Sequence, residues 1–219
     1  MFESILIVLV SYVIGAVPVA YLTARLLRGV DLRQYGSKNI GASNIFQAVS
    51  KAAVVPVGLA EIGQGMLGIL IAKMADQDLS VQVAAGLAAI AGHNWSPFLR
   101  FSGGRGVAHA IGFMLVLWWP ALGAFIGVAL VGVARKAVPQ FVLFAVLVTP
   151  FAAIVADQSL EIVAGLFAMA ALLITKRLLT NDPSIPEGHV ARDVLLSRLL
   201  YDRDTRERDE WVRRGIEHE

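Results

Sequence analysis

Long apolar runs alternate with short polar stretches along most of this chain. Seven runs stand out, over residues 5–24, 52–72, 81–95, 107–119, 121–134, 141–156 and 160–175. A helix needs about 20 apolar residues to cross roughly 30 Å of hydrocarbon. The pattern therefore predicts an all-α integral membrane protein with about seven transmembrane helices. Several runs are short. They fit a locally thinned bilayer or a re-entrant segment, so five or six spans is the competing count. The first run follows Met1-Phe2-Glu3-Ser4, with no basic leader and no small-residue cleavage site after it. It reads as a retained span rather than a signal peptide.

The polar stretches set the expected orientation. Arg25, Arg28, Arg33, Lys38 and Lys51 follow the first run, and Arg100 and Arg105 follow the third. Arg135 and Lys136 follow the fifth, and Lys176 and Arg177 close the seventh. With seven spans all of these share one side. The other side holds Glu3, Asp76, Asp78, Asp157 and Glu161, with only Lys73 near it. The positive-inside rule then makes the basic side cytoplasmic, with the N-terminus outside and the C-terminus cytoplasmic. Trp118 and Trp119 fall at an outer interface and Trp95 at an inner one, as belt residues do.

Two parts follow from the pattern. Residues 1–179 form a seven-span membrane domain, and residues 180–219 a polar cytoplasmic tail. Asp182-Pro183 and Ile185-Pro186 mark a turn-rich linker in the tail. Beyond it Val190, Val194, Leu195 and Leu199 recur at helical spacing. They predict an amphipathic helix over about residues 187–201, lying on the membrane or capping the cytoplasmic face. A solvated tail with a marginal helix is the alternative.

Composition agrees with a lipid-solvated chain. Of 219 residues, 57% are hydrophobic and only 16% charged, against a higher charge share in soluble domains. The net charge of +2 conceals the uneven distribution described above. There is no cysteine, which excludes disulfides and cysteine-ligated metals.

Three places carry candidate chemistry. The first loop reads Tyr35-Gly36-Ser37-Lys38-Asn39-Ile40-Gly41-Ala42-Ser43-Asn44. Its glycines permit close ligand approach, and successive N–H groups in such a loop make an anion nest. An ordinary polar loop capping the next helix is the plainer account. The second loop carries Gly92-His93-Asn94 and then Gly103-Gly104-Arg105-Gly106, directly before an apolar helix. A helix N-terminus with an adjacent arginine suits phosphate, although this is not P-loop spacing. A tight turn with a topogenic arginine is the alternative. Glu61 and Gln64 share one face inside the second run, where polar groups face a bundle interior or a cavity. They form either a polar wall of a substrate site or a buried interhelical contact beside Gly58, Gly65 and Gly68. His93 and His109 lack the further ligands a metal site needs, and no nucleophile elbow is present.

On these residues the chain resembles the bacterial glycerol-3-phosphate acyltransferases that use acyl phosphate. The first motif is carried by Gly15-Ala16-Val17-Pro18, Asp31-Leu32-Arg33-Gln34-Tyr35-Gly36-Ser37 and Asn39-Ile40-Gly41-Ala42-Ser43-Asn44. The second is carried by Gly92-His93-Asn94, Phe98-Leu99-Arg100-Phe101 and Gly103-Gly104-Arg105-Gly106-Val107-Ala108. The resemblance covers about residues 5–180. It implies a seven-helix enzyme of the bacterial plasma membrane with its active face cytoplasmic. It implies transfer of an acyl group from acyl phosphate to the 1-hydroxyl of glycerol 3-phosphate, giving lysophosphatidate. The implied partners are those two substrates and membrane lipids, with no nucleic acid, no metal and no cofactor.

Carried over by position, Ser37 and Arg105 are the expected catalytic residues, with His189 as a weaker match. Asn39, Gly41, Asn44, Glu61, Gln64, His93, Gly103, Gly104 and Gly106 are expected to bind substrate. The chain departs from the family pattern at Gln47 and Gln64, where the family has Arg and Lys, and at Arg105, where it has Lys. The third motif is matched only in part, by Lys176-Arg177-Leu178-Leu179 or by His189-Val190-Ala191-Arg192. A non-catalytic or altered-substrate paralogue that binds a lipid phosphate or a partner is therefore the second reading. A small transporter, suggested by composition alone, is the third.

Overall fold

The computed structural model describes residues 1–35, 38–181, 184–186 and 188–204. Among these, every long element is a helix. In chain order they are α1 Phe2–Ala16, α2 Val19–Arg28, α3 Ala42–Ala48, α4 Val54–Met74, α5 Leu79–Asn94, α6 Val107–Leu117, α7 Trp119–Ala134, α8 Val138–Val155, α9 Leu160–Leu179 and α10 Ala191–Tyr201. A helix lies over each of the seven apolar runs. Four are long and apolar enough to cross a membrane: α1 and α2 taken together over Phe2–Arg28, then α4, α8 and α9. At 1.5 Å per residue, the 11 residues of α6 reach only about 16 Å.

The first run is broken at Pro18. An unbroken helix would use the residue-18 N–H to reach the Ile14 carbonyl, and proline has none. Gln64 of α4 fills the gap. Its Nε2 donates to Ile14 O at 2.7 Å and to Val17 O at 3.1 Å. The side chain expected either to wall a substrate site or to make an interhelical contact thus joins α4 to the α1–α2 break.

Small residues let the helices approach closely. A Cβ at Gly92 would lie 2.1 Å from Tyr12 O of α1, and one at Gly65 would lie 2.3 Å from His109 O of α6. Gly68 is equally tight against Ser11, whereas Gly58 has nothing within 4 Å. Of the three small residues expected at this contact, two make it. Ile69, Ile90, Phe113, Met114, Leu166 and Met169 form the centre of the main apolar core.

The tail does form a helix, α10, and its inward face follows the expected stripe only in part, with Val194 buried and Leu199 half-buried. Val194, Ser197 and Arg198 are buried, while Val190 and Leu195 of the expected apolar stripe are exposed. Two buried arginines explain this. Arg177 of α9 donates from Nη1 to Leu199 O and from Nη2 to Pro139 O, joining α8, α9 and α10. Arg198 donates from Nη2 to Ser184 O at 2.9 Å and from Nε to Asp204 at 2.6 Å.

Candidate active site

Loop one is organised from within. Asn44 is fully buried, and its Nδ2 donates to Tyr35 O at 2.9 Å and Asn39 O at 3.0 Å. This fixes the curve of the loop as it enters α3. Asp31 accepts from Arg33 Nη2 at 2.6 Å and from the Arg33 backbone N–H at 3.0 Å. Arg33 thereby holds the Asp31 carboxyl below the usual carboxylate range. Gly41 is the N-cap of α3. Ser37 lies outside the described residues.

Loop two packs its glycines against α5. A Cβ on Gly104 would lie 2.1 Å from His93 Nε2 and 2.4 Å from Ile40 O. One on Gly103 would lie 2.1 Å from His93 O. Gly106 has φ +77°, a conformation that suits glycine, and its backbone starts α6 beside Asn94. The amides of the first two glycines are already engaged. Gly104 N–H donates to His93 O at 3.2 Å, and Gly103 N–H to Asn181 Oδ1 at 3.0 Å. These glycines provide close approach between loop and helix, and both amides are spent within the protein.

Among the described residues, Arg105 is one of three cations at an open cleft, with Lys136 and Arg203. Its Nη1 donates to Lys176 O at 2.7 Å, and its Nε lies 2.8 Å from Asp202 Oδ1. Arg105 lines this cleft of about 490 Å³ with Asn39 from the first loop, Ser43 and Gln47 from α3, and Lys136, Gln140, Asp202 and Arg203 from the far side. Two of the expected residues, Asn39 and Arg105, therefore meet here. Gln47 faces the same cleft, a neutral amide where the resemblance implies a guanidinium.

Glu61 and His93 meet elsewhere. They line a much smaller enclosed cavity with Ser96 and Gly103, of about 10 Å³. That is near the size one water needs. Glu61 Oε1 is buried without a hydrogen-bond partner, and its carboxylate faces the Ala42 N–H at the start of α3. His93 and His109 stack with ring centroids 4.2 Å apart. His189 is exposed in the segment before α10, where its N–H donates to Pro186 O. It is not among the residues lining the Arg105 cleft.

Two functional-looking residues escape the sequence. Asn181 accepts from Lys176 Nζ at 2.8 Å as well as from Gly103. Asp202 lies 3.5 Å from Arg177 Nε as well as contacting Arg105. Both sit in the polar tail, where one more Asn or Asp carries no signal. The buried Lys176, one residue before the last arginine of the membrane domain, was the one available pointer to this corner.

The same arrangement of loops and helices occurs in known proteins. The family profile described as Glycerol-3-phosphate acyltransferase matches residues 5–181, which is most of the chain. The chain belongs to the glycerol-3-phosphate acyltransferase family. Among its relatives is Glycerol-3-phosphate acyltransferase 4 of Dehalococcoides mccartyi (strain CBDB1), 36% identical over 214 residues, covering 94% of this chain and 91% of the relative. Glycerol-3-phosphate acyltransferase 5 of Dehalococcoides mccartyi (strain ATCC BAA-2266 / KCTC 15142 / 195) is 33% identical over 218 residues, covering 96% and 93%. The crystal structure of PlsY (YgiH), an integral membrane glycerol 3-phosphate acyltransferase, in its glycerol 3-phosphate form, superposes with a TM-score of 0.75. It is 28% identical, and the match covers 80% of this chain and 88% of that one. The acyltransferase profile ends on Asn181, at the edge of the cluster just described.

Proposed function

We propose that this acyltransferase moves an acyl group from acyl phosphate to the 1-hydroxyl of glycerol 3-phosphate, giving lysophosphatidate. The observation that carries the reading is Arg105, a guanidinium fixed on two sides at a cleft that both family loops line. Arginine offers a planar fork of donors suited to phosphate oxygens. Asn39 and Ser43 add neutral hydrogen-bonding groups on the opposite wall.

Catalysis in such a site is chiefly positioning and charge stabilisation. The acceptor hydroxyl oxygen attacks the acyl carbonyl carbon, and the bond from that carbon to the phosphate oxygen breaks. The leaving phosphate takes the hydroxyl proton, so no side-chain base is required. Arg105 stabilises charge on phosphate, and the acyl chain lies along the apolar helices. The reading includes a seven-span membrane domain over residues 1–179 and a cytoplasmic tail over 180–219. It places the protein in the bacterial plasma membrane, with the cleft on the cytoplasmic side. The basic residues after the first, third, fifth and seventh runs support that orientation.

The purified protein, given acyl phosphate and glycerol 3-phosphate, should form lysophosphatidate. Arg105→Ala should reduce the rate to background, and Arg105→Lys should retain part of it. A wild-type rate in Arg105→Ala would remove this residue from the site. Gln47 favours the second reading, a phosphate-binding paralogue without turnover, because a neutral amide faces the cleft there. Stabilisation of the protein by glycerol 3-phosphate with no product formed would select it.

A further inference from the structure

The amide of Asn181 is fully used. Its Oδ1 accepts from Gly103 N–H at 3.0 Å and from Lys176 Nζ at 2.8 Å. Its Nδ2 donates to Gly103 O at 2.9 Å and to Lys38 O at 3.0 Å. A carboxamide has two donor hydrogens and two acceptor lone pairs, and all four are spent here. These bonds join three segments that are far apart in sequence: the first loop at Lys38, the second loop at Gly103, and the end of α9 at Lys176.

The consequences meet at Arg105. Gly103 lies two residues before it, and Lys176 O is the acceptor of its Nη1. One side chain thus holds both the loop two residues before Arg105 and the ammonium of the residue whose carbonyl Arg105 uses. Lys176 itself is buried, and Asn181 Oδ1 accepts its hydrogen bond while the Trp95 ring lies 5.7 Å from its ammonium. A buried ammonium needs such partners to hold one position. Without the carboxamide the ammonium must find another acceptor, and the loop that carries Arg105 loses its tie at Gly103 to the end of α9.

We infer that Asn181 is a positioning residue for the phosphate-binding arginine, clamping both motif loops to the end of α9. The inference rests on the acyltransferase reading above. Asn181 touches no substrate atom in this role. It sets where Arg105 and the first-loop wall stand relative to each other, so its loss raises KM for glycerol 3-phosphate more than it lowers kcat.

Three variants test this. Asn181→Ala removes all four bonds. Asn181→Asp keeps the shape and the two acceptors but loses both donors. Asn181→Gln keeps the whole carboxamide on one more methylene. KM for glycerol 3-phosphate should rise about tenfold or more in Asn181→Ala, the scale of losing hydrogen bonds to charged groups. Asn181→Asp should not recover it, whereas Asn181→Gln should recover part. Where Asn181→Ala does not fold, the near-isosteric Asn181→Asp carries the comparison. Equal KM in wild type and all three variants would overturn the inference, as would kcat, KM and thermal stability changing in step. If wild type turns over nothing, the acyltransferase reading fails separately. Binding of glycerol 3-phosphate, followed by tryptophan fluorescence, then decides the role of Asn181. Weaker binding in Asn181→Ala and Asn181→Asp supports it, and no difference or no binding at all refutes it.

Discussion

Gln64 shows how one side chain can lose a charge and gain a structural task. The proline at position 18 leaves the Ile14 carbonyl without its helical donor, and Gln64 supplies two hydrogen bonds across the break. Val17 N–H also reaches Ile14 O, at 3.3 Å, so the loss is of the two Gln64 bonds rather than of a bare carbonyl, about 0.5–1.5 kcal/mol for each. Gln64→Leu should therefore lower stability by that order, read as a lower unfolding temperature in detergent. Sequence reasoning could find Gln64, because a polar residue in an apolar run is conspicuous. It could not choose between a substrate and a carbonyl as the partner, since that depends on how α4 meets α1. Asn181 and Asp202 were invisible for the opposite reason. Each is an ordinary polar residue in a polar stretch, and only the fold gives it neighbours.

At the scale of elements, the apolar pattern located the helices but misplaced their ends. The first run divides at Pro18, and the fourth stops at Leu117 because Trp118 turns the chain into α7. Hydropathy does not register either break, since proline and tryptophan both sit comfortably in an apolar run. The contact between α1 and α5 depends on side chains that are absent. At Gly92 an added Cβ would meet the Tyr12 carbonyl, which is backbone and cannot swing away. Gly92→Ala should force the two helices apart and cost about 1–3 kcal/mol, in line with overpacked cores. Thermal unfolding would show it. The loops add a second lesson. Their glycines suggested a phosphate cradle made of amides, yet the Gly103 and Gly104 amides are bound internally. Positive charge at this face is carried by the side chains of Arg105, Lys136 and Arg203 around the cleft instead.

For the whole molecule, the helices hold the two loops in register and the tail closes over them. Arg177, Arg198 and Asp202 bring α10 against the ends of α8 and α9. The profile of the family stops short of this segment, although the 94% of the chain aligned with a Dehalococcoides relative must extend past Asp202 wherever it begins. Asp202 brings a carboxylate to within 2.8 Å of the arginine assigned to phosphate. Like charges on one guanidinium oppose each other. Asp202→Asn should therefore lower KM for glycerol 3-phosphate, most clearly at low ionic strength, where screening is weakest.

With Arg105 in its proposed phosphate role, that contact would make the tail a tethered competitor. Because the carboxylate is covalently attached, its local concentration beside Arg105 does not fall when the protein is diluted. A phosphate substrate then binds with its intrinsic affinity multiplied by the fraction of molecules whose arginine is uncovered. Anything that lifts α10 off α8 and α9 would sharpen the apparent affinity without altering a single residue of the cleft wall.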